Sequence, residues 1–162
     1  MQTTLILESL FLGGLLALSA FFSGTEIALF SLTKLQVRRL RQEHPRQGQI
    51  ISELLDQPHR LLSTILFGNT LVNVAAAIVG LNVIDAYWPR QAEALAIPAM
   101  TLLILLFGEV TPKTVVIRRP ESYALHLAQI THWAVASTSR LRRVAEAVSE
   151  RLVRWIERLP YF

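Results

Sequence analysis

The chain has 162 residues, of which 52 % are hydrophobic, and its mean hydropathy of +0.40 is high for a water-soluble protein. Lysine and arginine outnumber the acids by 16 to 12, which in so apolar a chain favours contact with the anionic inner leaflet of a membrane over nucleic acid. The absence of cysteine excludes disulfides and cysteine-ligated metal sites. No Lys or Arg precedes Lys34, so no signal-peptide n-region is present and we expect the first apolar stretch to be retained.

Three segments are apolar enough to cross a membrane, which takes about 20 residues. We place these spans at residues 4–31, 61–84 and 94–117, and the second contains no charged residue. Three such runs are hard to bury in a soluble core of this size. The sequence therefore predicts an all-α integral membrane protein with three transmembrane helices.

The basic residues of the connections indicate the orientation. Only Arg90 lies between the second and third spans, whereas the connection between the first two spans carries Lys34, Arg38, Arg39, Arg41, Arg46 and Arg60. Because cytoplasmic loops are enriched in Lys and Arg, we expect the N-terminus outside and the C-terminus in the cytoplasm. The predicted location is the plasma (inner) membrane, crossed several times.

Two further segments are predicted to be cytoplasmic and juxtamembrane. Residues 34–60 are expected to form a helical hairpin, with Pro45 and Gly48 marking its turn. Residues from about 122 to 160 are expected to form an amphipathic belt helix on the membrane surface, because apolar residues recur there at i, i+3, i+4 spacing. The alternative for residues 122–139 is a fourth span, which two histidines and a glutamine disfavour.

Polar insertions interrupt all three spans: FSGTE at 22–26, GNTLVN at 68–73 and GEVTPK at 108–113. At about 1.5 Å per helical residue, Ser23 and Glu109 lie roughly 12 Å from the cytoplasmic ends of their spans. Asn69 and Asn73 lie about 12 to 18 Å from the corresponding end of theirs. The three insertions are thus predicted to meet in one layer, in the inner half of the bilayer.

The third insertion predicts a helix break and an ion ligand. Pro112 has no N–H to donate to the carbonyl of Gly108, which should be free for another partner. Glu109 beside it is a lone carboxylate at membrane depth, which is costly and usually functional. With a hydroxyl and the amide oxygens of Asn69 and Asn73, the layer offers oxygen ligands without sulfur or imidazole. Such ligands suit a hard divalent cation such as Mg²⁺.

Each polar group also has an alternative, structural role. The paired asparagines could hydrogen-bond a neighbouring helix. Ser23 and Thr25 could each donate to the carbonyl four residues earlier. Glu26 could form an ion pair with Lys113 or Lys34. An enzyme is not expected, because no HExxH or Ser/His/Asp arrangement is visible.

The motifs SGTEIAL, GNTLVNV and FGEVTPK, at 23–29, 68–74 and 107–113, resemble in order and spacing the signature segments of the CNNM/CorC magnesium transporters. The resemblance implies a homodimer of three-helix protomers with a juxtamembrane belt helix. It also implies Mg²⁺ efflux, with Na⁺ as the coupling ion. A stripe of small residues on the first span is a candidate dimer face: Gly13, Ala17, Ala20 and Gly24.

The resemblance further implies a set of ion ligands: Ser23, Asn69, Asn73, the Gly108 carbonyl and Glu109, with less defined roles for Gly24, Thr25 and Glu26. Family members usually continue into cytoplasmic CBS domains that bind ATP, which we expect to be absent from these 162 residues. The expected function is Na⁺-coupled Mg²⁺ efflux by alternating access. A passive Mg²⁺ channel and a non-transporting membrane sensor or anchor are the alternatives.

Overall fold

A computed structural model describes residues 2–137, which are helical throughout apart from short connections. The elements, in chain order, are α1 (Gln2–Phe30), α2 (Lys34–Glu43), α3 (Pro45–Asp56), α4 (Pro58–Tyr87), α5 (Ala92–Leu103), a π-helical segment (Ile104–Val110), α6 (Thr111–Val116) and α7 (Pro120–Ser137). Most of the predicted belt helix, including its amphipathic repeat, lies outside the described residues.

Three helical stretches are long and apolar enough to cross a membrane: Gln2–Phe30, Pro58–Tyr87 and Ala92–Val116. The third combines α5, the π-helical segment and α6. Their outer faces are strongly apolar; Leu10, Leu71 and Ile97 are 68 %, 58 % and 70 % exposed. In water this much apolar surface would cost about 25 cal/mol per Å², whereas in lipid it costs little. The prediction of three transmembrane helices is confirmed, and the protein is a multi-pass membrane protein.

The connection between the first two spans contains two short helices packed against each other. Thr33 caps α2 by a reciprocal pair of bonds with Gln36, and Pro45 begins α3. Gly48 does not lie in the turn, as the sequence suggested, but inside α3 against α2. A Cβ at Gly48 would lie 2.5 Å from Arg41 Cα and from Leu40 O. The glycine is therefore needed for the close approach of two helices.

Helix α7 packs against α1 and α3 through a face of small and apolar residues: Ala124, Ala128, Thr131 and Val135. Its first turn is tied to α2, because Gln36 Nε2 donates to Glu121 at 2.6 Å and Arg39 also donates to that carboxylate. Although 18 residues long, α7 does not meet the apolarity of the three spans. Within the described residues, the fourth-span alternative is therefore not supported.

The third span differs from its prediction near Pro112. The helix does not break there; it widens into the π-helical segment, in which the Thr111 N–H donates to Leu106 O, five residues earlier. Pro112 then falls in the first turn of α6, where its missing N–H matters least. The longer hydrogen-bond register thus accommodates the proline while the helix continues to Val116.

Candidate metal-ion site between the three spans

The hydroxyl of Ser19 on α1 lies at the centre of a cluster of oxygens from all three spans. Its Oγ is 2.6 Å from Asn73 Oδ1 and 3.1 Å from Asn69 Oδ1, both on α4. It is also 3.5 Å from the carbonyl oxygen of Gly108 in the π-helical segment. Ser19 and Gly108 are buried, and the two asparagines are partly buried. The second and third polar insertions thus meet in the fold, and they meet around Ser19, which lies one turn before the first insertion.

More oxygens surround the hydroxyl of Ser19 than it can donate to. Ser19 carries one hydroxyl hydrogen, so it can donate to one of three surrounding oxygens at a time. The other two oxygens are then left without this donor. Buried acceptors without a donor are unfavourable. A cation placed among these oxygens would satisfy all of them together, which is the chemical character of a hard-ion site.

Glu109 supplies the charge of the cluster. Its carboxylate Oε1 lies 3.4 Å from Asn73 Nδ2, so the amide group of Asn73 points its oxygen toward Ser19 and its nitrogen toward Glu109. The Ser23 hydroxyl lies 3.4 Å from the backbone carbonyl of Glu109. Ser23 therefore contacts the π-helical segment and does not bond its own helix, which was the alternative role suggested by sequence.

Two glycines allow the spans to approach this closely. A Cβ on Gly108 would lie 2.6 Å from Ser19 Oγ and 3.2 Å from Ser19 Cβ. A Cβ on Gly68 would lie 2.5 Å from the ring of Phe22, where α4 crosses α1. Contacts below 3 Å of this kind require the neighbouring group to move. Glycine at both positions therefore determines how near the oxygens of α1, α4 and the π-helical segment can come.

Two residues of the first insertion are not joined to the cluster by any hydrogen bond of the described residues. Gly24 is buried against α6, where its Cβ would meet Val116 Cγ2 at 3.3 Å. Thr25 is fully buried, and its Oγ1 has no hydrogen-bond partner within residues 2–137. Like Ser23, it does not bond the carbonyl four residues earlier. Neither residue is placed as a ligand.

Glu26 forms an ion pair with Lys113, with Oε2 3.2 Å from Nζ. The pair lies beside the cluster, since Glu26 is one turn beyond Ser23 on α1 and Lys113 is one turn beyond Glu109. Both side chains are partly exposed, at 28 % and 38 %. In the structure, Glu26 therefore pairs with Lys113 and not with the oxygen cluster. The pair lies near the ends of the spans that we expect to face the cytoplasm.

Comparison with known protein families shows which family this chain resembles. The model of the Cyclin M transmembrane N-terminal domain (CNNM) matches residues 10–159, which includes most of the first span, both other spans and the cluster between them.

The chain belongs to the CNNM family.

Individual relatives agree with this assignment. The inner membrane protein YfjD of Escherichia coli is 35 % identical over 66 % of this chain and 25 % of its own length. A chloroplastic DUF21 domain-containing protein of Arabidopsis thaliana is 34 % identical over 78 % of this chain and 19 % of its own length. The metal transporter cnnm-1 of Caenorhabditis elegans is 28 % identical over 74 % of this chain and 14 % of its own length. The chain thus spans a quarter or less of these three proteins.

In this CNNM domain, Ser19 is the site residue that sequence reasoning missed. It lies four residues before Ser23 and therefore on the same face of α1, which is the signal that was available. The described residues contain no group of three or more His, Asp or Glu side chains suited to a metal. The cluster relies on neutral oxygens and a single carboxylate, as the sequence suggested.

Removing the charge of Lys113 is expected to strengthen cation binding in the CNNM cluster. In Lys113→Met, Glu26 loses its partner and the cluster loses a neighbouring positive charge that opposes an incoming cation. Because both side chains are partly exposed, we expect a modest effect, about 3- to 10-fold in Mg²⁺ affinity by titration calorimetry. Arg118→Gln removes an equal charge from an exposed residue that makes no ion pair within residues 2–137, and it should leave the affinity unchanged. Equal affinities of Lys113→Met and wild type would contradict this expectation.

Proposed function

We propose that this CNNM domain transports Mg²⁺ across the membrane through the oxygen cluster around Ser19. The observation that carries the proposal is the convergence of three oxygens from α4 and the third span on the single hydroxyl of Ser19, beside the carboxylate of Glu109. The proposal is supported by the name of the Caenorhabditis elegans relative, a metal transporter. One carboxylate among neutral oxygens can bind a divalent cation and still release it, as a transported ion requires.

We further propose efflux driven by Na⁺ entry. Moving two positive charges out of a cell against 100 mV, inside negative, costs about 4.6 kcal/mol. A coupling ion must supply that free energy, and Na⁺ entering through the same polar layer is the proposed source. The proposal includes the orientation, in which the N-terminus lies outside and the basic helices α2 and α3 lie in the cytoplasm.

A homodimer is also part of the proposal, and an apolar groove supports it. The groove, of about 670 Å³, runs between α4 and α5 and is lined by Ile78, Ile97 and Met100, with Glu109 at one end. A carboxylate facing lipid through such a groove would be costly, whereas a second protomer would cover it. One residue of the small-residue stripe on α1, the candidate dimer face, is Gly24, and it packs against Val116 of the same chain.

Mg²⁺ flux in proteoliposomes tests the proposed transport. The purified chain is reconstituted with a fluorescent Mg²⁺ indicator, with and without an imposed Na⁺ gradient, and wild type is compared with Glu109→Gln. We expect flux in the wild type that reverses with the direction of the Na⁺ gradient, and none in the variant. A matched K⁺ gradient of the same size is the control for the membrane potential.

Other outcomes separate the alternatives. Flux that depends on Glu109, follows the electrochemical gradient of Mg²⁺ and ignores Na⁺ would identify a passive channel. Mg²⁺ binding without flux in either protein would favour a sensor or anchor, or a transporter that needs sequence beyond this chain. Absence of both binding and flux would reject the cluster as an ion site.

A further inference from the structure

A second groove lies where α1 ends and α2 and α3 pack together. Its volume is about 470 Å³, and none of its lining residues belongs to the oxygen cluster. Phe30 and Leu29 at the end of α1 form one side. Residues of α2 and α3, with Pro58 at the start of α4, form the rest. Since α1 and α4 are spans, the groove is at the boundary between hydrocarbon and water.

Three cations line this groove from one helix. Lys34, Arg38 and Arg41 are spaced i, i+4, i+7 and therefore share one face of α2. Within residues 2–137 none of the three makes an ion pair or a side-chain hydrogen bond. Arg39, on another face of α2, behaves differently, because it pairs with Glu43 and with Glu121. Within the described residues, the fold thus pairs one arginine of α2 with acids and leaves the three cations of the groove without an ion pair.

The acidic residue that lines the groove does not neutralise its three cations. Asp56 is the acid among its lining residues and leaves an excess of two positive charges, three cations against one carboxylate. Asp56 itself has no ion pair within the described part of the chain. An anionic group entering the groove would therefore meet a net positive surface, with two guanidinium groups that suit the oxygens of a phosphate.

Part of the groove lining is apolar, which restricts the kind of anion. Leu29, Leu32, Val37 and Leu55 line the groove together with the cations. Phe30, the last residue of α1, is 41 % exposed at the rim that continues onto the outer face of the span. A small soluble anion would contact the cations and leave this apolar surface exposed to water. A molecule with a phosphate and an attached hydrocarbon chain would use both.

We propose that this groove binds one anionic phospholipid of the adjoining leaflet. Its phosphate lies among Lys34, Arg38 and Arg41, and an acyl chain passes Phe30 into the bilayer. Charge complementarity and continuity with the lipid-facing surface of α1 carry the assignment. The bound lipid would hold the α2–α3 pair at the membrane surface. The proposal does not depend on the transport of any ion.

Native mass spectrometry of the chain, released from nanodiscs of equal phosphatidylglycerol and phosphatidylcholine, tests this site. We expect the wild type to retain one phosphatidylglycerol per protomer, at least tenfold in preference to phosphatidylcholine. Arg38→Gln combined with Arg41→Gln should reduce that preference to less than twofold. The matched control, Arg46→Gln combined with Arg118→Gln, removes the same charge from exposed residues outside the groove. It should retain the lipid as the wild type does.

A second variant tests the apolar half of the site without changing its charge. Val37→Phe fills the groove beside the cations and should expel the lipid, while unchanged helix content and unfolding temperature establish that the variant is folded. Retention of phosphatidylglycerol by either groove variant would overturn the proposal, as would an equal loss in the control. Displacement of the lipid by millimolar glycerol phosphate would also overturn it, since the site would then recognise phosphate alone.

Discussion

Glu109→Gln is expected to lower the Mg²⁺ affinity at least 100-fold while the three spans remain packed. The substitution keeps the shape and one oxygen of the side chain but removes the only negative charge of the oxygen cluster around Ser19. A small divalent ion gives up its hydration water reluctantly, and neutral oxygens alone compensate poorly for the free energy that this costs. A 100-fold loss corresponds to about 2.7 kcal/mol of binding free energy.

Equilibrium titration of the detergent-solubilised chain with Mg²⁺ measures this effect. Glu8→Gln is the matched control, because it makes the same chemical change on α1 far from the cluster, and it should bind as tightly as the wild type. Thermal unfolding without Mg²⁺ should differ little among the three proteins. If Glu109→Gln bound Mg²⁺ with wild-type affinity, the cluster around Ser19 would not be the ion site.

Gly108→Ala is expected to weaken Mg²⁺ binding at least tenfold through geometry alone. The added methyl group would lie 2.6 Å from Ser19 Oγ and must push α1 away from the π-helical segment or rotate the hydroxyl. Either movement separates the oxygens that converge on Ser19. The same titration measures the loss, and the unfolding temperature should fall because the contact is buried.

Two companion variants separate the steric effect from others. Gly13→Ala adds the same methyl group to α1 where nothing lies within 4 Å, so binding should not change. Adding Ser19→Gly to Gly108→Ala relieves the overlap and should recover the unfolding temperature, but not the affinity, because the hydroxyl oxygen is gone. Recovery of full Mg²⁺ affinity in that double variant would show that Ser19 is not a ligand.

The three spans and their polar layer were accessible from the sequence for simple reasons. Uninterrupted apolar runs indicate membrane helices, and a fixed rise per residue converts positions such as Asn69 and Glu109 into depths. The depth of a residue in the bilayer, however, does not say toward which side of its helix the side chain points. Hence the sequence left the role of Thr25 less defined than that of Ser23. In the structure, Ser23 is hydrogen-bonded to the third span and Thr25 Oγ1 has no partner within residues 2–137.

Two features of the site depended on packing that sequence patterns do not describe. Ser19 stands in an ordinary run of small and apolar residues, and its role follows from the oxygens that α4 and the third span bring to it. Pro112 correctly indicated an irregular backbone, but local rules for proline predict a break. The chain instead forms a π-helical segment before the proline and continues as α6, with Pro112 in the first turn of α6.

The π-helical segment gives the third span a way to turn without unfolding. It holds one residue more per turn than the flanking α-helix, and that surplus residue can be exchanged with the next turn by moving single hydrogen bonds. Each residue that the surplus passes is rotated by about 100° around the helix axis. Passing Glu109 in this way would swing its carboxylate from Asn73 toward a different face of the bundle. Such a shift of the π-helical register would break the contact between Glu109 and Asn73 and take the carboxylate out of the oxygen cluster.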